Sequence, residues 1–386
     1  MTFPASIYRL EDEDAILTPA LLIYRDLVEA NIQATVRLAG GDANRWRPHI
    51  KTAKIPAVLE QMLDQGITSF KCSTTLELLI ACEAGAKDVV MAYPVMGANA
   101  RRVREIAGQS GATRISVLVE NADQAAQWRG AEIGIFIDVN PGMDRTGISQ
   151  ERTKDIVDLA RSAGAQFRGL HYYDGHMSGV EAGEREMRAH AGYQQLLEIV
   201  KALESAGIPV GEVITSGTPA APFAISFAGF RNARFVHRIS PGTVVYNDLT
   251  SLRQLPQYGY QPAAVVLSTV VSRPTAHSIT CDAGHKSVSA DAGVPTCSVI
   301  GHPEWTPGKP SEEHLPIEIG SSTNRVELGS KLYLLPRHVC PTVNNFDEAL
   351  IVAGGRITGI ERVSARGHEA PVAQGMRRLE LHSTPA

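Results

Sequence analysis

The segment Arg47-Pro48-His49-Ile50-Lys51-Thr52-Ala53-Lys54 sets a lysine directly behind a short extended run, where an α/β unit opens its pocket. An amine at such a junction can be partly desolvated and aimed at an electrophile, which is what a nucleophilic lysine needs. The competing reading makes Lys51 and Lys54 the first turn of an exposed helix. Two later loops, Thr215-Ser216-Gly217-Thr218-Pro219 and Ser240-Pro241-Gly242-Thr243, have the composition of anion cradles. Glycine lets backbone N–H groups approach an anion, Ser and Thr add hydroxyl donors, and a helix following Pro219 adds its dipole. Arg145, in Asp144-Arg145-Thr146-Gly147, points over the same mouth, toward a ligand or toward a pairing with Asp144 or Asp138. His171-Tyr172-Tyr173-Asp174-Gly175-His176 gathers groups that stack or transfer protons. Neighbours on a strand face opposite ways, so one of Tyr172 and Tyr173 should face a helix layer. His338 and Cys340 are two residues apart, and on an extended segment both project from one face. Imidazole and thiolate together suit Zn²⁺ or another borderline divalent ion, with positions left open for water or substrate.

The elements that must position these residues alternate. Strands are expected at 45–48, 68–72, 88–93, 115–119, 133–139, 167–172, 212–216 and 235–240, short apolar runs bounded by turn residues. Helices are expected at 26–38 (capped by Asp26), 74–84, 99–107, 122–129, 153–163, 184–206 and 220–227. Eight strands separated by helices, without a hairpin signal, predict a closed parallel (β/α)8 barrel of the TIM type rather than an open sheet. In such a barrel the site lies on the loops after the strands, and phosphate is commonly held after strands seven and eight, where the two anion cradles fall. After about residue 255 the pattern becomes all-β, with strands at 265–272, 278–282, 295–300, 331–336, 348–352 and 358–363 and a hairpin at Gly354-Gly355. The expected division is a barrel over 25–250 and a β domain from 1–24 plus 251–386 that carries the His338/Cys340 pair. The early strand 20–24 would pair with this second domain.

The chain has 386 residues, 44% hydrophobic and 20% charged, with a net charge of −4, an ordinary composition for a globular enzyme. This balance offers no basic footprint for nucleic acid, no run is long enough for a membrane span, and no signal-peptide pattern stands at the N-terminus, so a cytoplasmic protein acting on small molecules is expected. Its five cysteines, Cys72, Cys82, Cys281, Cys297 and Cys340, are scattered and odd in number, which argues against a disulfide framework.

Taken together, Arg47-Pro48-His49-Ile50-Lys51-Thr52, Asp144-Arg145-Thr146-Gly147, Ser216-Gly217-Thr218, Pro241-Gly242-Thr243, Asp282-Ala283-Gly284 and His338-Val339-Cys340-Pro341-Thr342-Val343-Asn344 resemble the D-threonine aldolase and D-serine dehydratase group. These are pyridoxal-phosphate enzymes with an alanine-racemase-like barrel, and the resemblance runs in order from about Thr18 to Glu369. It implies that Lys51 is the Schiff-base lysine, with Lys54 supporting or exposed. It further implies that Arg145 faces the pyridine nitrogen, that Tyr173 lies near the cofactor, and that Ser216, Gly217, Thr218, Gly242 and Thr243 hold the phosphate. His338 and Cys340 would bind a divalent ion (Zn, Mn or Mg), and the protein would be a homodimer acting on a D-amino acid. His176 is the candidate catalytic base, although it does not fall where aldolases of the group carry a nearby histidine. The group's aldolases often show His-x-Asp at the metal and its dehydratases His-x-Cys, as here, whereas Asp282–Lys286 and Ser289–Pro295 look closer to the aldolases. The expected reaction is cleavage of a D-β-hydroxy amino acid to glycine and an aldehyde. The alternatives are dehydration by a D-serine or D-3-hydroxyaspartate dehydratase-like ammonia-lyase, racemisation, or non-catalytic cofactor carriage.

Overall fold

The computed structural model describes residues 3–320 and 326–371. Seven parallel strands run in the order Ser69–Cys72, Asp88–Met91, Arg114–Val119, Gly134–Asn140, Phe167–Tyr172, Glu212–Thr215 and Val236–Ile239, with a two-residue strand, Ile148–Ser149, against Gly134–Asn140. The expected strand at 45–48 is not a continuous one. A 3-10 turn, Ala43–Arg45, leads into single parallel bridges from Trp46 to Ile239 and from His49 to Lys71. Hydrogen bonds from Arg47 N to Ile239 O (2.8 Å), Lys71 N to Pro48 O (2.8 Å) and Ile50 N to Lys71 O (2.9 Å) make this segment the eighth stave, which joins the last strand to the first. Pro48 has no N–H to give, so the ladder is interrupted where the chain must turn toward Lys51.

Side chains inside the barrel fall into layers. Arg47, fully buried, pairs with Asp88 (2.9 Å) and Glu212 (2.8 Å), and Arg168 pairs with Asp88 (2.7 Å), so the floor is an ion network. Above it lie Val90, Leu118, Phe136 and Ile214, a small separate apolar cluster. The layer nearest the strand C-termini is polar again and holds Lys71, Asp138 and His171. Buried ions persist only when paired, and the floor satisfies its charges internally. The upper layer faces the mouth, where a ligand belongs.

The second sheet has nine strands, built on the long Ala264–Thr275 strand. Ala20–Tyr24 joins it, antiparallel to Ala264–Thr275 and parallel to Glu348–Ala353. Glu348–Ala353 and Arg356–Arg362 form the hairpin over Gly354-Gly355, whose two positive φ angles (57° and 76°) suit a tight turn with the strands' own twist. Thr306–Pro307 and Leu315–Glu318, not anticipated, extend the other end. Helices Pro56–Asp64 and Leu249–Gln254 also went unforeseen, and the first helix begins at Arg25 with Tyr24 as its cap, so Asp26 supplies first-turn charge rather than a capping oxygen. Among the described residues no helix is long and apolar enough to cross a membrane.

Candidate active site

Lys51 stands on a single turn after the eighth stave, closed by Lys54 N to Ile50 O (3.0 Å). It is half-buried, with its Nζ 5.9 Å from the centroid of Tyr173. Lys54 is neither exposed nor helical. Its φ is +54°, its side chain is buried, and its Nζ reaches Glu77 Oε1 (2.8 Å) and Ala365 O (3.0 Å). The two lysines have separated their work: one amine faces the mouth and the other anchors the turn beneath it.

Tyr173 is the platform. Lys51, Lys71 (5.5 Å) and Arg145 (5.0 Å) all approach its ring, and a Cβ added at Gly175 or Gly217 would meet that ring at 2.4 or 2.9 Å. Its neighbour Tyr172 faces the other way, edge-on to Tyr193 (5.8 Å) of the Ala182–Ser205 helix, as strand alternation requires. Arg145 is exposed and makes no ion pair with Asp138 or Asp144. Asp138 instead accepts from Thr146 Oγ1 (2.7 Å) and lies 2.7 Å from His171 Nδ1.

The two anion loops converge. Trp46 Nε1 donates to Pro241 O (2.8 Å), and a Cβ at Gly242 would fall 2.4 Å from the carbonyl oxygen of His49, so only glycine lets this loop close on the Lys51 stave. Ser216, at φ +60°, and Ser240 are both buried, and their hydroxyls have no hydrogen-bond partner among the described residues. Buried hydroxyls normally find partners, so two orphans in adjacent loops leave donors there for an external group to meet. The chain enters the Ala221–Ser226 helix, close to the expected 220–227, through a 3-10 turn, Thr218–Ala220. Asp174 backs the cup these loops form: it accepts from Gly217 N (3.2 Å) and Tyr193 OH (2.7 Å), and burial pushes its carboxyl up to about 6 against those bonds.

His338 and Cys340 are not on an extended segment. His338 is the N-cap of the Val339–Asn344 helix and Cys340 lies in its first turn, so their shared orientation comes from a helical start. Cys340 Sγ lies 3.0 Å from Thr52 Oγ1 and 3.6 Å from Thr243 Oγ1, beside the residue after Lys51 and a residue of the anion cup. Asp291 Oδ2 lies 2.6 Å from His338 Nδ1, and a side-chain hydrogen bond joins His338 to Cys340. Among the described residues no group of three or more His, Cys, Asp or Glu is arranged to hold a metal ion. His176, in the turn Gly175–Gly179, has a buried Nδ1 without a partner among the described residues, and burial lowers its pKa against the opposing pull of Asp144.

Lys71 and Asp291 escaped the sequence reading as site residues, whereas Asp138, Asp174 and Ser240 lay within segments it had singled out. Lys71 carried a signal: a lysine inside a strand whose four residues are all buried has no bland role.

Such a barrel, with one lysine at its mouth and a β domain alongside, is the alanine-racemase-like class of architecture. A sequence model of the alanine racemase N-terminal domain matches residues 23–249, and the chain belongs to that family. A putative serine dehydratase domain matches residues 263–352. The D-threonine aldolase of Arthrobacter sp. is 27% identical over 369 residues, spanning 91% of this chain and 93% of that protein. The 3-hydroxy-D-aspartate aldolase of Paracoccus denitrificans (strain Pd 1222) is 29% identical over 377 residues, spanning 92% and 94%. The crystal structure of D-threonine aldolase from Filomicrobium marinum superposes with a TM-score of 0.84 at 26% identity, covering 93% of this chain and 98% of that one.

Proposed function

We propose that this chain is a pyridoxal-phosphate-dependent lyase of D-β-hydroxy amino acids, cleaving them to glycine and an aldehyde. The observation that carries the reading is convergence. The Lys51 amine, the Tyr173 face and the unpartnered hydroxyls of Ser216 and Ser240 meet in one mouth, with Cys340 hydrogen-bonded to the residue next to Lys51. The D-threonine aldolase and 3-hydroxy-D-aspartate aldolase relatives support the substrate class.

The residues present fit the cofactor. Ser216, Gly217, Thr218, Gly242 and Thr243 would hold its phosphate, Tyr173 would lie against its ring, Arg145 would face its pyridine nitrogen and Lys51 would bond its aldehyde. Pyridoxal phosphate supplies an aldehyde for amino groups and a ring that withdraws electrons from the substrate's Cα. The chain's own part is electrostatic and steric. Lys51, Lys71 and Arg145 set three basic groups around one ring, which favours an anionic ligand there. Arginine does not give up its proton, so Arg145 would face a ring nitrogen without protonating it.

His338 and Cys340 would hold a divalent ion, Zn, Mn or Mg. Two protein ligands make an open site, the kind that accepts substrate, rather than a closed structural one. Such an ion supplies Lewis acidity toward the β-hydroxyl oxygen. His176, neutral and with a free ring nitrogen, is assigned to take the hydroxyl proton. The second reading, dehydration to a keto acid and ammonia, is favoured by one observation: the segment matching the putative serine dehydratase domain contains the His338-x-Cys340 pair. We further assign the loaded protein as a homodimer.

Product analysis tests the assignment. Protein loaded with pyridoxal phosphate and Mn²⁺ should consume D-threonine, release glycine and acetaldehyde, and leave L-threonine untouched. Ammonia with 2-oxobutanoate would select the dehydratase reading, and equal turnover of both enantiomers would refute both.

A further inference from the structure

Three groups across the upper barrel layer form a chain that the proposed reaction has not used. Lys71 Nζ lies 2.8 Å from His171 Nε2, and His171 Nδ1 lies 2.7 Å from Asp138 Oδ1, whose other oxygen accepts from Thr146. The three residues are at most 4% exposed. They come from three strands, Ser69–Cys72, Gly134–Asn140 and Phe167–Tyr172, with Lys71 reaching across the interior to His171. A core does not need this: three apolar residues would fill the layer without desolvating an ammonium and a carboxylate.

The direction of the chain is determined. Burial, with Lys71 adding to it, pushes His171 down to about 4, so its ring is neutral near pH 7. A neutral ring beside a carboxylate carries its proton on Nδ1 and presents Nε2 as an acceptor. Lys71 therefore donates to His171, which donates to Asp138. One Lys71 donor is used in this way, and its amine has no other hydrogen-bond partner among the described residues. The remaining donors lie beside the Tyr173 ring, 5.5 Å from the amine. A buried amine with donors to spare, next to the ring that would stack on the cofactor, is placed to act on what binds there.

We propose that Lys71 is a second functional lysine of this site, a positioning residue held by His171 and Asp138 so that its charge governs the state of the bound cofactor. The inference rests on the reading of Lys51 as the cofactor-bearing lysine. Every element around Lys71 contributes to its charge. Arg47 on the eighth stave, Lys51 on the turn after it and Arg145 on the loop after Gly134–Asn140 oppose its protonation, as does burial, the largest influence, while Asp138 favours it. His49, close enough to feel Lys71, is held well below its usual pKa and stays neutral, and Tyr173 contributes only its ring face. The balance brings Lys71 down to about 7, within the working range of an enzyme. Binding an anionic cofactor would move that balance toward the ammonium form.

Two measurements test this. In protein with ¹⁵N-labelled histidine and no cofactor, the His171 ring signals should change with a midpoint near pH 7 while the ring itself stays neutral, and Lys71→Met should abolish the change. Absence of a His171 response between pH 5.5 and 9, or its persistence in Lys71→Met, overturns the proposal; the first arm needs no variant to fold. In the loaded protein the long-wavelength absorbance of the cofactor should titrate, and Lys71→Met should move or remove that midpoint by at least one pH unit, with Lys71→Arg giving a spectrum locked in the charged form. Borohydride reduction and peptide mapping accompany each variant. Cofactor fixed at Lys51 with an unchanged midpoint in Lys71→Met defeats the role of Lys71. Cofactor fixed elsewhere, or nowhere, defeats the reading of Lys51 instead.

Discussion

Replacing Lys54 with methionine tests whether the two lysines of the Lys51 turn divide their tasks as the geometry indicates. The Lys54 and Glu77 side chains are 7% and 1% exposed and their charged atoms are 2.8 Å apart. Methionine preserves the length of the chain and the cost of the +54° φ, so the comparison isolates the ammonium. Its loss strands the Glu77 carboxylate, which keeps only Ser73 N (2.7 Å) and Ser73 Oγ (3.2 Å), and frees the Ala365 carbonyl. Breaking a buried pair from one side costs about 3–5 kcal/mol. At roughly 1.4 kcal/mol per tenfold, the unfolding equilibrium should shift by about two to four orders of magnitude. Urea unfolding followed by the fluorescence of buried Trp46 and Trp128 measures this. Adding Glu77→Gln to Lys54→Met should recover part of the loss, since it removes the stranded charge. Lys51→Met should cost about 1 kcal/mol or less, as expected for a half-buried residue whose amine makes no ion pair among the described residues, yet abolish the borohydride-fixed cofactor. The reasoning fails if Lys54→Met is as stable as the parent to within about 1 kcal/mol, or if Lys51→Met is the variant that unfolds.

Gly242→Ala should weaken pyridoxal phosphate binding at least tenfold by fluorescence titration, because its Cβ meets the His49 carbonyl oxygen at 2.4 Å; unchanged affinity would remove that loop from the cup. Asp174 is raised to about 6 by burial, so its contribution to stability is fully present below an unfolded value near 4 and is lost as pH rises through 6, by about 3 kcal/mol. Asp174→Asn should flatten the dependence of the urea midpoint on pH between about 4 and 6, and an unaltered slope would contradict this. His338→Ala and Cys340→Ala should each lower bound Mn²⁺ or Zn²⁺, measured by elemental analysis after dialysis, while the cofactor stays bound; full metal content in both would place the ion elsewhere.

The local chemistry of the chain was legible because it depends on neighbours in sequence. Glycines beside Ser and Thr mark anion loops, alternation along 167–172 sends Tyr172 and Tyr173 to opposite sides, and Gly354-Gly355 closes a hairpin. The order of short apolar runs likewise predicted a parallel barrel, and strand 20–24 lies in the second sheet. His338 and Cys340 show the limit. Their spacing was informative, but the strand stops at Pro336 and a helix begins, so their common direction has a different cause. Lys54 shows it more sharply: nothing near it in sequence announces Glu77 or Ala365 as partners. The Lys71–His171–Asp138 chain is the extreme case, since its members are 100 and 33 residues apart and meet only when the barrel closes. Propensity and turn chemistry act over a few residues, and so they select strands, helices and loops. The electrostatics of a buried amine depend on which charges closure brings within a few ångströms, and that is decided by tertiary structure alone.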